Sequence, residues 1–208
     1  MPAFSSPDRE LRGFSRKQAL SLAGVATALL LTGCSSSNDS LASQADAGDS
    51  KGYIAGDGSV TEYSEEERSE PVSFTGTLYD GSTITAEELR GKPVLLNFWY
   101  AGCAPCRSEA PHLVELHEKF GNKVQFYGVN VRDERGTAEA FENNFKIKYK
   151  SFKDADGKVL YNLSKFVPAQ AVPTTLILDA QGRVAARILG EIDSSILKTL
   201  LEDQAKSV

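Results

Sequence analysis

"LLNFWYAGCAPCRSEAP", residues 95–111, joins an apolar run to a Cys-x-x-Cys motif. The run, residues 93–100, is almost continuously apolar, which is typical of a central strand that is buried on both faces. Leu113, Leu116 and Phe120 follow the motif at helical spacing, and a Gly-Asn pair then ends that pattern. We therefore predict a strand, a turn that carries two thiols, and a helix, in that order.

This placement gives the two cysteines different chemistry. Cys103 is expected at the first turn of the helix, where unpaired backbone N–H groups and the positive end of the helix dipole favour a thiolate. A thiolate is the nucleophile in disulfide exchange, and Pro105 suits a first turn because its missing N–H costs nothing there. Cys106 lies one turn further in and is expected to be the shielded, resolving thiol.

The rest of the chain predicts an α/β fold with a mixed sheet covered by helices on both faces. Residues 72–85 have β-prone segments around Asp80-Gly81, which indicates an extra N-terminal β-hairpin. Further strands are predicted at 124–131, in "TTLILD" and in "RVAARILG", and helices at 137–145, near 159–166 and from about Asp193.

The beginning of the chain has the features of an export signal. Arg12, Arg16 and Lys17 precede an apolar run, residues 19–31, which is shorter than the roughly 20 residues that a membrane-spanning helix needs. Leu31-Thr32-Gly33-Cys34 then resembles the bacterial lipobox, which implies a diacylglycerol-modified Cys34. We expect residues 1–33 to be a lipoprotein signal peptide, 34–70 the lipidated cysteine with a flexible linker, and 71–208 the folded domain.

Charge limits the partners of this chain. Without residues 1–33 it keeps 19 basic and 26 acidic side chains, a net charge of −7. Such a surface repels nucleic acid and is not attracted to anionic lipid, so we expect no nucleic-acid partner and a membrane contact that depends on the lipid anchor.

The small number of cysteines excludes several functions for the motif. Haem attachment requires a His after the second Cys, where this chain has Arg107, and a structural zinc site requires further ligands that the sequence lacks. A structural staple over so short a loop stabilises little, and a peroxidase would need a separate peroxide-attacking Cys. Cu(I) binding by the dithiol remains an alternative, although the only Met is Met1. We predict no metal and no cofactor.

The motif stretch, together with "VPTTLILDAQGRV" at residues 172–184 and the N-terminal hairpin, resembles the thioredoxin superfamily. The resemblance is greatest to the membrane-tethered TlpA/ResA-type thiol-disulfide oxidoreductases and covers residues 71–204. It implies a three-layer thioredoxin-like fold with a cis-proline, Pro173, opposite the dithiol. It also implies that Trp99, Val172 and Pro173 contact the substrate and that Glu109, three residues after the second Cys, handles protons near the dithiol.

Two residues depart from the pattern of these relatives. Gly102 precedes the first Cys where the family usually has Trp, which removes a wall from the site. Asn97 stands where thioredoxin has a buried Asp, and an amide cannot carry that proton.

The resemblance implies a monomeric, lipid-anchored enzyme at the extracytoplasmic face of the cell membrane. Its relatives are reductants of protein disulfides that keep apocytochrome c thiols open, and a transmembrane dithiol electron carrier recharges them. Oxidation or isomerisation during the folding of exported proteins is the alternative, and a Cu(I) metallochaperone is the alternative from another functional class.

Overall fold

A computed structural model describes residues 56–206 of the chain. The strands are β1 Ser59–Glu62, β2 Thr75–Thr77, β3 Thr83–Thr85, β4 Val94–Trp99, β5 Gln125–Asn130, β6 Lys150–Lys153, β7 Thr174–Leu178 and β8 Val184–Leu189. The helices are α1 Ala104–Phe120, α2 Arg135–Phe145, α3 Lys158–Asn162 and α4 Ser194–Ala205. Among these residues no helix is long and apolar enough to cross a bilayer.

The central sheet is mixed, as the sequence predicts. Its six strands lie in the order β1-β8-β7-β4-β5-β6. Strands β4, β5 and β6 are parallel, whereas β7 is antiparallel to β4, and β8 is antiparallel to both β7 and β1. Strands β2 and β3 form the predicted hairpin as a separate two-stranded sheet.

Strand β4 lies in the middle of the sheet, and all of its residues are buried. Successive side chains of a strand point to opposite faces. Leu96 and Phe98 therefore pack in the apolar cluster that contains the hairpin, while Leu95 packs in the cluster that contains α1 and α4. Asn97 and Trp99 share the face of Leu95, so this strand directs both side chains toward the helix that follows the Cys-x-x-Cys motif.

The structure corrects the predicted domain boundary. Strand β1 pairs with β8 from Ser59↔Leu189 to Glu62↔Ala186, so the folded domain begins well before residue 71. Both strands that the sequence pattern failed to predict, β1 and β6, are the edges of the sheet. Edge strands are short and polar because an apolar edge invites aggregation, so they lack the apolar run that reveals a central strand.

Smaller differences concern the helices. The helix predicted near residues 159–166 is the shorter α3, and the helix predicted from about Asp193 is α4. Asp193 caps α4 by accepting hydrogen bonds from the N–H groups of Ser195 and Ile196. The predictions for the signal peptide and for Cys34 lie outside the described residues.

Candidate active site

Cys103 is the N-cap of α1, close to its predicted position. Its backbone is extended, with φ −77° and ψ 113°, and its carbonyl accepts the hydrogen bond from Arg107 N–H at 3.1 Å. Cys103 Sγ accepts a hydrogen bond from Cys106 N–H at 3.2 Å. Pro105 lies in the first turn, as expected. The helix terminus therefore directs a backbone donor at this sulfur, which is the arrangement that stabilises a thiolate.

Cys103 and Cys106 are joined in a disulfide with an S–S distance of 2.07 Å. The sequence predicts that Cys106 is the more shielded thiol, but both cysteines are buried in this oxidised form. Their positions on the helix distinguish the two cysteines, because the hydrogen bond from the first turn goes to Cys103 Sγ at the N-cap.

The Val172–Pro173 peptide bond is cis, as the resemblance implies. Val172 O lies 3.8 Å from Cys103 Sγ, which brings the loop before β7 against the disulfide. A cleft of about 300 Å³ borders this contact, and Tyr100, Leu160 and Val172 are among its lining residues. A peptide placed there would contact Val172, whose carbonyl approaches Cys103 Sγ.

Trp99, which the resemblance predicts to contact the substrate, lies inside the protein beside the dithiol. Its side chain is buried, and its ring lies 4.4 Å from that of Phe141 on α2, measured between centroids. Trp99 belongs to the same apolar cluster as both cysteines. It therefore supports the disulfide from within the protein.

Glu109 is fully buried on α1, one helical turn after Cys106. Its Oε1 accepts a hydrogen bond from Asn97 Nδ2 at 2.7 Å, and its Oε2 accepts one from Ile192 N–H at 3.0 Å. Burial raises the pKa of this carboxyl to about 8, an effect that the two hydrogen bonds partly offset and that the charge of Glu191 reinforces. A carboxyl with that pKa exchanges protons near neutral pH, which is the property required of a proton carrier.

Two partners of Glu109 differ in how well the sequence reveals them. Asn97 is a polar residue within an apolar strand, and its Nδ2 also donates to Thr175 Oγ1 at 3.2 Å, across the β4–β7 pair in which these residues are register partners. That interruption of the apolar pattern is a usable signal. Ile192 acts through its backbone and is 83 positions from Glu109, so the sequence contains no signal for it.

Gly102, directly before Cys103, lies against the ring of Tyr100. Its φ is not in the left-handed region, and an added Cβ would lie 3.3 Å from Tyr100 Cε2. The glycine is therefore not required by backbone conformation, and its effect is to let the Tyr100 ring approach the turn. Among residues 56–206 no three His, Cys, Asp or Glu side chains cluster as metal ligands would.

Comparison with known proteins identifies the family. Residues 69–187, more than half of the chain, match the AhpC/TSA family. The chain belongs to this family. Its mixed sheet, its N-cap cysteine and its cis-proline are those of a thioredoxin-like protein, and the resemblance inferred from the motifs is confirmed.

Proteins similar to this chain carry related names. The chain is 34% identical over 121 residues to the thiol:disulfide interchange protein DsbE of Pseudomonas fluorescens biotype C, covering 58% of this chain and 64% of that protein. It is 28% identical to a thiol-disulfide oxidoreductase ResA of Bacillus cereus, covering 64% and 75%. A solved secreted thiol-disulfide isomerase from Corynebacterium glutamicum matches with 31% identity and a TM-score of 0.67, covering 73% and 95%. The chain is thus similar to proteins named ResA and DsbE, and Cys103–Cys106 is the disulfide of its Cys-x-x-Cys motif.

Proposed function

We propose that this protein is an exported thiol-disulfide oxidoreductase that reduces disulfides in other proteins. The observation that carries the proposal is the Cys103–Cys106 disulfide at the N-terminus of α1, with Cys103 Sγ 3.8 Å from the carbonyl before the cis-proline. The names of the DsbE and ResA relatives support the same chemistry, although the chain spans only 64% of the length of that DsbE protein.

The reaction requires both sulfurs in the reduced state. The Cys103 thiolate attacks one sulfur of a substrate disulfide, the substrate S–S bond breaks, and one substrate thiolate leaves and takes up a proton. Cys106 then loses its proton and attacks Cys103 Sγ. The second substrate sulfur leaves as a thiolate that takes up a proton, and the Cys103–Cys106 disulfide closes. Two electrons pass to the substrate, and Glu109 is the group that accepts the Cys106 proton.

The direction of electron flow is part of the proposal. We assign the protein to the reductants of cytochrome c maturation, with apocytochrome c as substrate and a transmembrane dithiol carrier as electron source, because of its similarity to ResA and DsbE. A reduction potential near the roughly −270 mV of thioredoxin is expected from equilibration with a glutathione or dithiothreitol redox buffer. A value near the roughly −120 mV of DsbA would contradict this direction.

Trapping tests the roles of the two cysteines. Cys106→Ala should accumulate mixed disulfides with substrate proteins, because no thiol remains to release them. Cys103→Ala should accumulate none and serves as the matched control. Trapping by Cys103→Ala alone would reverse the assignment.

Attachment to the membrane through a lipidated Cys34 is a separate part of the proposal. It is supported by the lipobox-like residues 31–34, and the similarity to a secreted Corynebacterium glutamicum protein supports export alone. Mass spectrometry of the protein from a bacterial membrane fraction should find a diacylglycerol-modified N-terminal cysteine. A Cys34→Ala variant should leave the membrane fraction, and retention of that variant would contradict the anchor.

A second candidate function is disulfide isomerisation during the folding of exported proteins. The name of the Corynebacterium glutamicum relative favours it. Refolding of scrambled ribonuclease in a redox buffer distinguishes the two functions, because an isomerase restores activity catalytically whereas a dedicated reductant does not.

A further inference from the structure

The loop that follows β8 contacts the redox site in three places. Gly190 N–H donates to the carbonyl of Pro173 at 2.8 Å, so the loop holds the cis-proline. Ile192 N–H donates to Glu109 Oε2 at 3.0 Å. Between them, Glu191 accepts a hydrogen bond from Ser108 Oγ at the start of α1. Three consecutive residues thus connect to the cis-proline, to α1 and to the buried carboxyl. We call residues 190–192 the β8 loop.

The N-terminal residues of the described structure hold this loop in place. Gly58 N–H donates to Leu189 O at 2.7 Å, and Ser59 begins the β1–β8 pairing opposite Leu189. Gly56 and Gly190 approach so closely that a Cβ added at Gly190, where φ is +96°, would lie 2.6 Å from Gly56 O. Two glycines therefore permit a backbone contact that no other residue pair would allow.

We infer that the β8 loop is a positioning element for the redox reaction, which sets the Glu109 carboxyl through Ile192 N–H and is itself fixed by residues 56–58. A backbone donor is well suited to this purpose, because it cannot change rotamer and its position depends only on the chain around it. The inference rests on the proposed role of Glu109 as the acceptor of the Cys106 proton.

The groups around Glu109 show why the loop donor has a strong effect. No cation is among the groups that shift its pKa; Asn97 on β4 is a neutral donor, and Glu191 in the loop carries a charge of the same sign. Tyr149, which is buried just before β6, interacts electrostatically with Glu109, and Cys106 lies one turn before it on α1. Ionisation of Glu109 is thus supported only by neutral donors, so the loss of one of its two hydrogen bonds changes its titration directly.

Gly190→Ala tests the inference, with Gly91→Ala as its matched control. Both glycines have nearly the same backbone conformation, φ +96° and +97°, but an added Cβ at Gly91 meets nothing within 4 Å. The reduced protein is mixed with oxidised glutathione. The readout is the pH dependence of the rate at which Cys106 resolves the mixed disulfide between Cys103 and glutathione. Weakening of the Ile192 hydrogen bond should move the midpoint of this profile upward by about one pH unit. Gly91→Ala should leave it unchanged, and equal midpoints in the two variants would overturn the inference.

Glu109→Gln separates this inference from the proposed function. In the Glu109→Gln background Gly190→Ala should produce no further shift, because the titrating group is gone. If Gly190→Ala still shifts the profile there, the loop acts by another route and the inference fails, while the proposed role of Glu109 stands. If Glu109→Gln alone leaves the wild-type profile unchanged, the proposed role of Glu109 is wrong, and with it the inference.

A measurement on the unaltered sequence covers the case in which Gly190→Ala does not fold. In the oxidised protein the amide proton of Ile192 should change its NMR chemical shift with the titration of Glu109, and this change should be absent in Glu109→Gln. An Ile192 amide that does not respond to pH would overturn the inference without any change to the loop.

Discussion

Two buried carboxyl groups mark opposite ends of the sheet and are held in opposite ways. Asp179 lies directly after β7. Its Oδ2 forms ion pairs with Arg68 at 3.0 Å and with Arg183 Nε at 2.9 Å. Among the described residues, Glu109 accepts hydrogen bonds from Asn97 and Ile192, whose donor groups are neutral. Both side chains are almost inaccessible, since Asp179 is 3% exposed and Glu109 0%.

The difference shows what burial alone does to a carboxyl. With two guanidinium groups beside it, the Asp179 charge is compensated and ties the segment before the hairpin to the β7–β8 turn. Without a cation among its described partners, burial raises the pKa of Glu109 to about 8. One buried carboxyl is paired with cations, whereas the other is held by neutral donors.

Removal of the Asp179 carboxyl should have the largest effect on the free energy of unfolding. Asp179→Ala leaves two arginines facing a cavity, so we expect a loss of about 3 kcal/mol in the free energy of unfolding by urea. Asp179→Asn, which keeps an acceptor oxygen, is the control and should lose less. Thiol-disulfide exchange by the folded variant should be unchanged, and a loss of activity without a loss of stability would break the comparison.

Replacement of the other buried carboxyl, Glu109, should slow the reaction. Glu109→Gln keeps the shape of the side chain but cannot accept the Cys106 proton, so resolution of a Cys103 mixed disulfide should slow by about 100-fold at neutral pH. Stopped-flow measurement with oxidised glutathione gives this rate. Asp179→Asn is the reference, and equal rates in the two variants would remove the assigned role of Glu109.

The pH dependence of the free energy of unfolding should reveal the raised pKa of Glu109. Because the pKa of Glu109 is raised from 4.5 to about 8 in the folded state, its proton stabilises the fold fully below about pH 4.5, and this contribution is lost as the pH rises to about 8. Between pH 5 and pH 8.5 the oxidised wild type should therefore lose at least about 1.4 kcal/mol more than Glu109→Gln, measured by urea unfolding. Parallel pH curves for the two proteins would contradict the raised pKa.

An exposed ion pair should have the smallest effect and shows that charge without burial contributes little. Lys119 on α1 and Glu202 on α4 lie 3.3 Å apart, with side chains 49% and 44% exposed. A double-mutant cycle with alanine at both positions should give a coupling free energy below about 0.5 kcal/mol. A coupling above about 1 kcal/mol would mean that pairing, and not burial, explains the stability assigned to Asp179.

The predictability of the fold follows the position of each strand in the sheet. Strands β4, β5, β7 and β8 were predictable from their apolar residues, because strands inside a sheet are buried. The edge strands β1 and β6 contain polar residues such as Glu62 and Lys150, and nothing local distinguishes them from loops. The boundary predicted at residue 71 was wrong for this reason.

The residues of the site also differ in how well the sequence predicts them. Cys103, Cys106 and Pro173 were predictable, because a helix terminus and a family motif place them. Trp99 lies in the same apolar cluster as both cysteines, and its contact with substrate stays a prediction of the resemblance. The spacing of Glu109 from Cys106 predicted a position near the dithiol, whereas the sequence did not predict which groups surround this carboxyl.

The amino-acid sequence by itself determined where the thiols lie, since a buried strand, a turn and a helix start are local structures with local causes. Only the tertiary structure decided what surrounds Glu109, because its two hydrogen-bond donors come from β4 and from the loop after β8, at sequence separations of 12 and 83 residues. The pKa of a buried group depends on whatever the fold packs against it. The proton chemistry of this site is therefore a property of the assembled sheet and its loops.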